Sequence, residues 1–189
     1  MKLLSKLTML LTSTILITST AWSFGAGHGR GMDRNRDTLN QFPVYNLSVE
    51  QRNDLKFMWE EEKLARDVYI TLGQQYSELR IFKNISKAEQ RHMDAIKVLT
   101  DKYNITIPSD YSIGKFKTPA FQDLYKKLIT QGSSSIEDAI DVGYSIEVLD
   151  IKDLKERLNE SSPKDMEFVF TRLIKASYKH KRAFERFTN

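Results

Sequence analysis

Six residues combine the types and spacing that could hold metal ions: Glu62, Glu89, His92, Glu147, Asp150 and His180. Each falls where a helical stripe otherwise requires an apolar side chain. The stripes read Leu55, Met58, Glu62, Ala65, Tyr69, Leu72; then Ile85, Glu89, His92, Ile96, Leu99; then Ala139, Gly143, Glu147, Asp150, Leu154; then Val169, Leu173, Ser177, His180, Phe184, Phe187. Burying four carboxylates is costly without compensating positive charge, and a pair of divalent ions neutralises four. Neutral imidazoles supply nitrogen ligands beside them. Glu89 and His92 stand at i and i+3, so both reach one point between helices. Glu60 and Glu61 are expected to turn away from this face, and Asp153 to lie off it. Two other readings remain open: a metal-free network of salt bridges and hydrogen bonds drawing on Arg66, Arg91 or Arg172, and a non-covalent haem held by His92 and His180.

Four long helices are expected to position these residues. Ser48 with Gln51 forms a capping box that opens a helix over 49–75, with Gly73 near its fraying end. A second helix spans about 85–103, entered from Asn84 or Ser86. The stretch 104–118, with Pro108 and Gly114, reads as a loop, and Thr118-Pro119 starts a short amphipathic helix ended by Gly132. Ser134 with Glu137 opens a helix of about 135–159, and Ser162-Pro163 one of about 163–187. The implied architecture is all-α: a four-helix bundle over 48–189, with one long crossover between the second and third long helices that carries the short extra helix.

This pattern resembles the ferritin-like superfamily of di-iron carboxylate proteins, rubrerythrins in particular. Glu62-Lys-Leu-Ala65-Arg66-Asp-Val-Tyr69 is similar to the rubrerythrin motif E-x-x-A-R-x-x-Y, Glu89-Gln-Arg-His92 to E-x-x-H, and His180-Lys-Arg-Ala-Phe184 loosely to H-x-x-R-F. The combination EEEKLARDVY, AEQRHM, IEVLDIKDL and SYKHKRAF resembles more closely a group of bacterial ferritin-like domains of unknown function, over about 50–187. The departure is Ser177, which stands where a fourth-helix E-x-x-H would carry its glutamate. Asp150, three residues after Glu147, restores the number of carboxylates. The resemblance implies two iron ions, or manganese or another divalent metal, reacting with dioxygen or peroxide. Tyr69 is a candidate catalytic hydrogen-bond donor beside them. The alternative class of function is a metal-free exported helical module that binds a protein or the cell surface.

Composition narrows the rest. The chain has no cysteine, which excludes disulfides, thiolate zinc, iron–sulfur clusters and thiol catalysis, so electrons for repeated turnover must come from an external reductant. Its 189 residues suit a single domain, and a net charge of +4 without a basic stripe argues against nucleic acid. A homodimer is compatible with this size. Residues 1–23 read as a signal peptide, with Lys2 and Lys6 before an apolar run too short and too rich in Ser and Thr for a stable membrane anchor, then Ala21-Trp22-Ser23. Residues 24–47 read as a flexible leader in which His28 has no companion ligand. A periplasmic or secreted location follows. Intact-mass analysis of exported protein is expected to show a chain beginning near Phe24.

Overall fold

The computed structural model describes residues 36–159 and 161–187. The signal segment, His28 and the first part of the leader lie outside the described residues. All regular structure among those described is helical: one turn at 36–39, then α1 (Val49–Gln75), α2 (Arg80–Lys102), α3 (Pro119–Gly132), α4 (Ile136–Arg157) and α5 (Lys164–Glu185). Among the described residues no helix is long and apolar enough to cross a membrane.

Local sequence explains most helix boundaries. Ser48 Oγ accepts from the Gln51 amide while the Gln51 side chain accepts from the Ser48 amide, closing the expected capping box. Pro119 occupies the first turn of α3, where a missing N–H costs nothing. The cap of α4 is Ser135 rather than Ser134, its hydroxyl accepting from the Asp138 amide. Helix α2 begins at Arg80, earlier than expected, and Asn84 and Ser86 lie within it. The cause is packing: Phe82 is fully buried against Tyr69 and sits directly over Gly73, where an added Cβ would approach the Phe82 Cβ at 3.0 Å. Gly73 therefore marks a close helix crossing inside α1 rather than its frayed end.

Cross-helix contacts set the topology. Arg52, Glu62 and Arg66 on α1 meet Tyr103, His92 and Gln90 at or after α2, numbers rising on one helix as they fall on the other. Glu147 and Asp150 on α4 meet His180 and Ser177 on α5, while Glu89 and Lys102 on α2 meet His180 and Asp165 on α5. Phe57 and Tyr69 on α1 meet Arg157 and Glu147 on α4. Each of these neighbouring pairs is antiparallel, so α2 and α4 run in the same direction. The chain leaving α2 must travel the length of the molecule before α4 can begin, and residues 103–135 make that journey.

A buried charge network fastens this crossover to α1. Asp67 accepts from Lys63 Nζ at 2.6 Å, from Arg66 Nε and Nη2 at 2.8 and 2.7 Å, and from the Gly114 amide at 3.0 Å. Lys63 and Arg66 also donate to the carbonyls of Ser112 and Tyr111. Gly114 turns with φ of +73°, and a Cβ there would collide with the Tyr125 ring. Glu60, expected to face outward, is buried because it accepts from both the amide and the hydroxyl of Thr118. The later leader is also packed rather than free: Leu39 and Leu47 are buried, and Lys102 Nζ donates to the carbonyls of Leu39 and Phe42. Removing Asp67 leaves two buried cations with much less compensation, so D67A is expected to destabilise by about 3 kcal/mol or more in urea unfolding. D101A, which removes only the exposed partner of Lys97, is expected to change little.

Candidate metal centre

The apolar interior is divided in two. One cluster gathers Leu55, Met58, Trp59, Met93, Ile96, Leu99, Phe170 and Leu173; the other gathers Val68, Tyr69, Leu72, Phe82, Ala139, Val142, Ile146 and Phe184. Between them in sequence position on all four long helices stand Glu62, Glu89, His92, Glu147, Asp150, Ser177 and His180. Helical periodicity turns each of these inward with its apolar neighbours, so packing the two clusters forces the polar layer together.

Two triads result. One ligand atom from each of Glu62, Glu89 and His92 lies within 4.8 Å of the others, and the same holds for Glu89, Glu147 and His180. Glu89 joins them. Its Oε2 is 2.7 Å from His92 Nδ1, and its Oε1 is 2.9 Å from His180 Nδ1. His92 Nδ1 is also 3.1 Å from Glu62 Oε2, and His180 Nδ1 is 3.5 Å from Glu147 Oε2. The two imidazoles stack with centroids 5.6 Å apart. Tyr69, buried between Phe82 and Phe184, donates to Glu147 Oε1 at 2.7 Å. Gly143 permits this packing, since a Cβ there would run into the Phe184 ring.

Asp150 stands beside the triads rather than within either. Ser177 Oγ lies 2.6 Å from its Oδ2 and 3.0 Å from the Leu173 carbonyl. Asp150 Oδ1 and Glu62 Oε1 are buried without a hydrogen-bond partner. Such orphaned oxygens beside two imidazoles fit a cation, because a carboxylate donor set with nitrogen suits divalent transition ions. Glu62, Glu89, His92, Glu147 and His180 are thus brought together as expected, with Asp150 adjoining and Tyr69 in contact through Glu147. Arg66 serves the crossover, and Arg172 lies over the Phe168 ring. Phe187, expected on the inner stripe, is exposed.

Sequence reasoning missed Glu61 and Asp153, both buried rather than turned away. Three consecutive glutamates span about 200° of helix, and α1 is enclosed widely enough for all three to meet protein. Asp153 lies three residues after Asp150, the same i, i+3 relation that placed Asp150 beside Glu147. That repeat was the available signal.

Burial and neighbouring charge shift the titration of these groups. Burial pushes Glu147 up to about 8, and the Glu89 carboxylate adds to the shift against His180. Burial likewise raises Asp150 to about 7, against the Ser177 hydrogen bond. Burial would lower His180, but Glu147 and Glu89 outweigh it and raise the imidazole to about 9. His92 rises well above its ordinary value as Glu89 and Glu62 outweigh burial. Burial would raise Glu89, yet the two histidines hold it below the usual carboxylate range.

Comparison with known proteins gives relatives of unassigned function. The model of an uncharacterized protein domain (DUF2202) matches residues 51–189. The uncharacterized protein MJ0754 of Methanocaldococcus jannaschii is 48% identical over 152 residues, covering 80% of this chain and 82% of that protein. The crystal structure of hypothetical protein MJ0754 from Methanococcus jannaschii superposes with a TM-score of 0.74 at 49% identity, covering 77% of this chain and 83% of that one.

The proton inventory has a definite sign. Glu147 and Asp150 have folded pKa values above their ordinary 4.5 and 3.8, so the folded state binds more protons and loses stability as pH rises towards 8 and 7. The charged form of His180 contributes stability below 6.5 that is lost as pH rises through about 9. All three effects act in one direction. The melting temperature of chelator-treated protein is expected to fall steadily from about pH 5 to about pH 9, with H180A flattening the upper part; a level profile for the unaltered chain would contradict this.

Proposed function

The chain belongs to the DUF2202 family, and for a family described only as uncharacterized we propose a ferritin-like four-helix bundle whose centre binds two divalent transition ions, iron by preference, for oxidation chemistry. The observation that carries this reading is Glu89: one buried carboxylate, with each oxygen facing a different imidazole and each imidazole facing a further glutamate. A purely structural ion pair needs one acid and one base. Here four carboxylates and two histidines share one layer, and four negative charges balance two divalent ions.

Glu62 with His92 would hold one ion and Glu147 with His180 the other, Glu89 serving both. When bound, iron would supply electron transfer to dioxygen or peroxide and polarisation of the bound oxygen atoms. The protein supplies position and exclusion of water. Tyr69 fixes Glu147 through Oε1, leaving Oε2 directed towards His180, and the Ser177 hydroxyl fixes Asp150 through Oδ2 with Oδ1 free. The apolar clusters flank a layer whose four carboxylates are at most 5% exposed, so each fixed dipole acts in a low dielectric. Without cysteines the chain holds no thiolate cluster to return electrons, and an external reductant completes the cycle. Export through the N-terminal segment would place this chemistry in the periplasm or outside the cell.

Reconstitution of the apoprotein with Fe(II) under anaerobic conditions, followed by elemental analysis, is expected to give about two ions per chain and a higher melting temperature. Exposure to air or peroxide is expected to produce one rapid oxidation, seen by stopped-flow absorbance, with little further turnover until reductant is added. H92A and E62A should slow it. Unchanged empty protein, or oxidation no faster than that of free Fe(II), would leave the metal-free binding module as the better account.

A further inference from the structure

Outside the two triads, another group of buried acids lacks partners. Glu61 is 3% exposed, and neither of its carboxylate oxygens has a hydrogen-bond partner. Asp153, 2% exposed on the facing helix α4, leaves Oδ2 unpartnered. Asp54 and Phe57 on α1 meet Arg157 on α4, and Tyr69 meets Glu147, so the antiparallel register sets Glu61 opposite Asp150 and Asp153 across the α1–α4 seam.

The compensating cation is Arg157, and it is poorly matched to the task. Its guanidinium lies 3.9 Å above the Phe57 ring, with Nε 3.4 Å from Asp54 Oδ1 and Nη1 3.8 Å from Asp153 Oδ1. The exposed Lys152 ammonium comes no nearer to Asp153 than 3.8 Å. Glu61 and Asp153 are thus two buried acids, and the cations that approach the pair come no nearer to the Asp153 carboxylate than 3.8 Å. Residues that merely packed the seam would gain stability by being apolar.

We propose that Glu61 and Asp153 form a separate cation site on the α1–α4 side, made of oxygen donors alone and suited to a hard divalent ion such as Mn(II) or Mg(II), with Arg157 as its cover. Neither residue belongs to an imidazole triad, and carboxylates without nitrogen select harder ions than carboxylates with histidine. Two carboxylates leave room for retained water, as small hard ions prefer. The route inward is short. Asp54 and Arg157 are each partly exposed at the seam, so movement of the arginine opens Asp153 and then Glu61 to solvent. Asp150, with its free Oδ1, lies one turn before Asp153 on α4, which sets this site beside the candidate centre.

Titration of the apoprotein with Mn(II) by calorimetry, with elemental analysis of the loaded chain, tests this. The unaltered chain is expected to hold one more ion than E61Q/D153N, while H92A/H180A keeps that ion and loses those of the imidazole centre. R157M, which removes a competing cation, is expected to tighten binding at this site by about tenfold or more. Equal stoichiometry in E61Q/D153N and the unaltered chain would overturn the proposal, reducing the pair to acids that share a proton. So would loss of every ion from E61Q/D153N, or loss of the additional ion from H92A/H180A. Should the double variant not fold, E61Q and D153N are read singly, each expected to weaken the additional site at least tenfold and each overturning it if unchanged. Failure of the imidazole centre is separately visible: H92A/H180A would then match the unaltered chain.

Discussion

Compensation of buried acid is the constraint on which the structure turns. Residues 60–67 of α1 read Glu-Glu-Glu-Lys-Leu-Ala-Arg-Asp, and every one is buried. A helix enclosed on all sides is ordinarily apolar all round. This one carries six charges in eight residues, so each neighbouring element has to bring the group that makes its burial tolerable. Glu60 meets the start of α3, Glu62 meets α2, and Lys63 and Arg66 meet both Asp67 and the crossover, while Glu61 lacks such a partner. Partner choice among helices is thereby fixed by charge as well as by shape.

The same arrangement links the crossover to the site. Glu60 and Glu62 are two residues apart on a rigid helix, one fastened to Thr118 and the other to His92. Displacing the crossover exposes or unpairs Glu60, Lys63, Arg66 and Asp67 together, which carries a desolvation cost much larger than that of moving an apolar loop. The crossover thus acts as a clamp on the helix that contributes Glu62. Its backbone carbonyls at Tyr111 and Ser112 are ligands for cations that the helix could not otherwise bury. Phe116, over which Lys63 lies at 4.4 Å, adds a further stabilising contact to the same ammonium.

Those features with local causes were legible in the sequence. The Ser48–Gln51 box, the Pro119 start and the 3.6-residue stripes gave four long helices and the inward direction of Glu62, Glu89, His92, Glu147 and His180, because each depends on spacing within one helix. Features fixed by contacts between distant segments were not. Asn84 and Ser86 looked like caps, yet Phe82 needs the bed provided by Gly73 and Tyr69, which extends α2 towards its start. The leader lacked periodicity, but single residues such as Leu39 and Leu47 can be buried without any. Glu60 and Glu61 were assigned outward, and Asp153 off the ligand face, by a single-stripe criterion that fails once a helix has neighbours on more than one side.

Ser177 shows how a single hydroxyl sets the charge of the layer around it. A glutamate there would add a fifth carboxylate to a layer that already holds four with two imidazoles, raising the number of cations needed to balance it. A hydroxyl instead adds no charge, and its one proton lies within reach of both Asp150 Oδ2 and the helix carbonyl of Leu173. The fourth acid of the layer comes from α4, one turn beyond Glu147, and its shorter side chain ends beside the triads rather than inside them. That shift draws negative charge towards the α1–α4 seam, where Glu61 and Asp153 already stand. The centre is accordingly asymmetric: histidines towards α2 and α5, unaccompanied carboxylates towards α1 and α4.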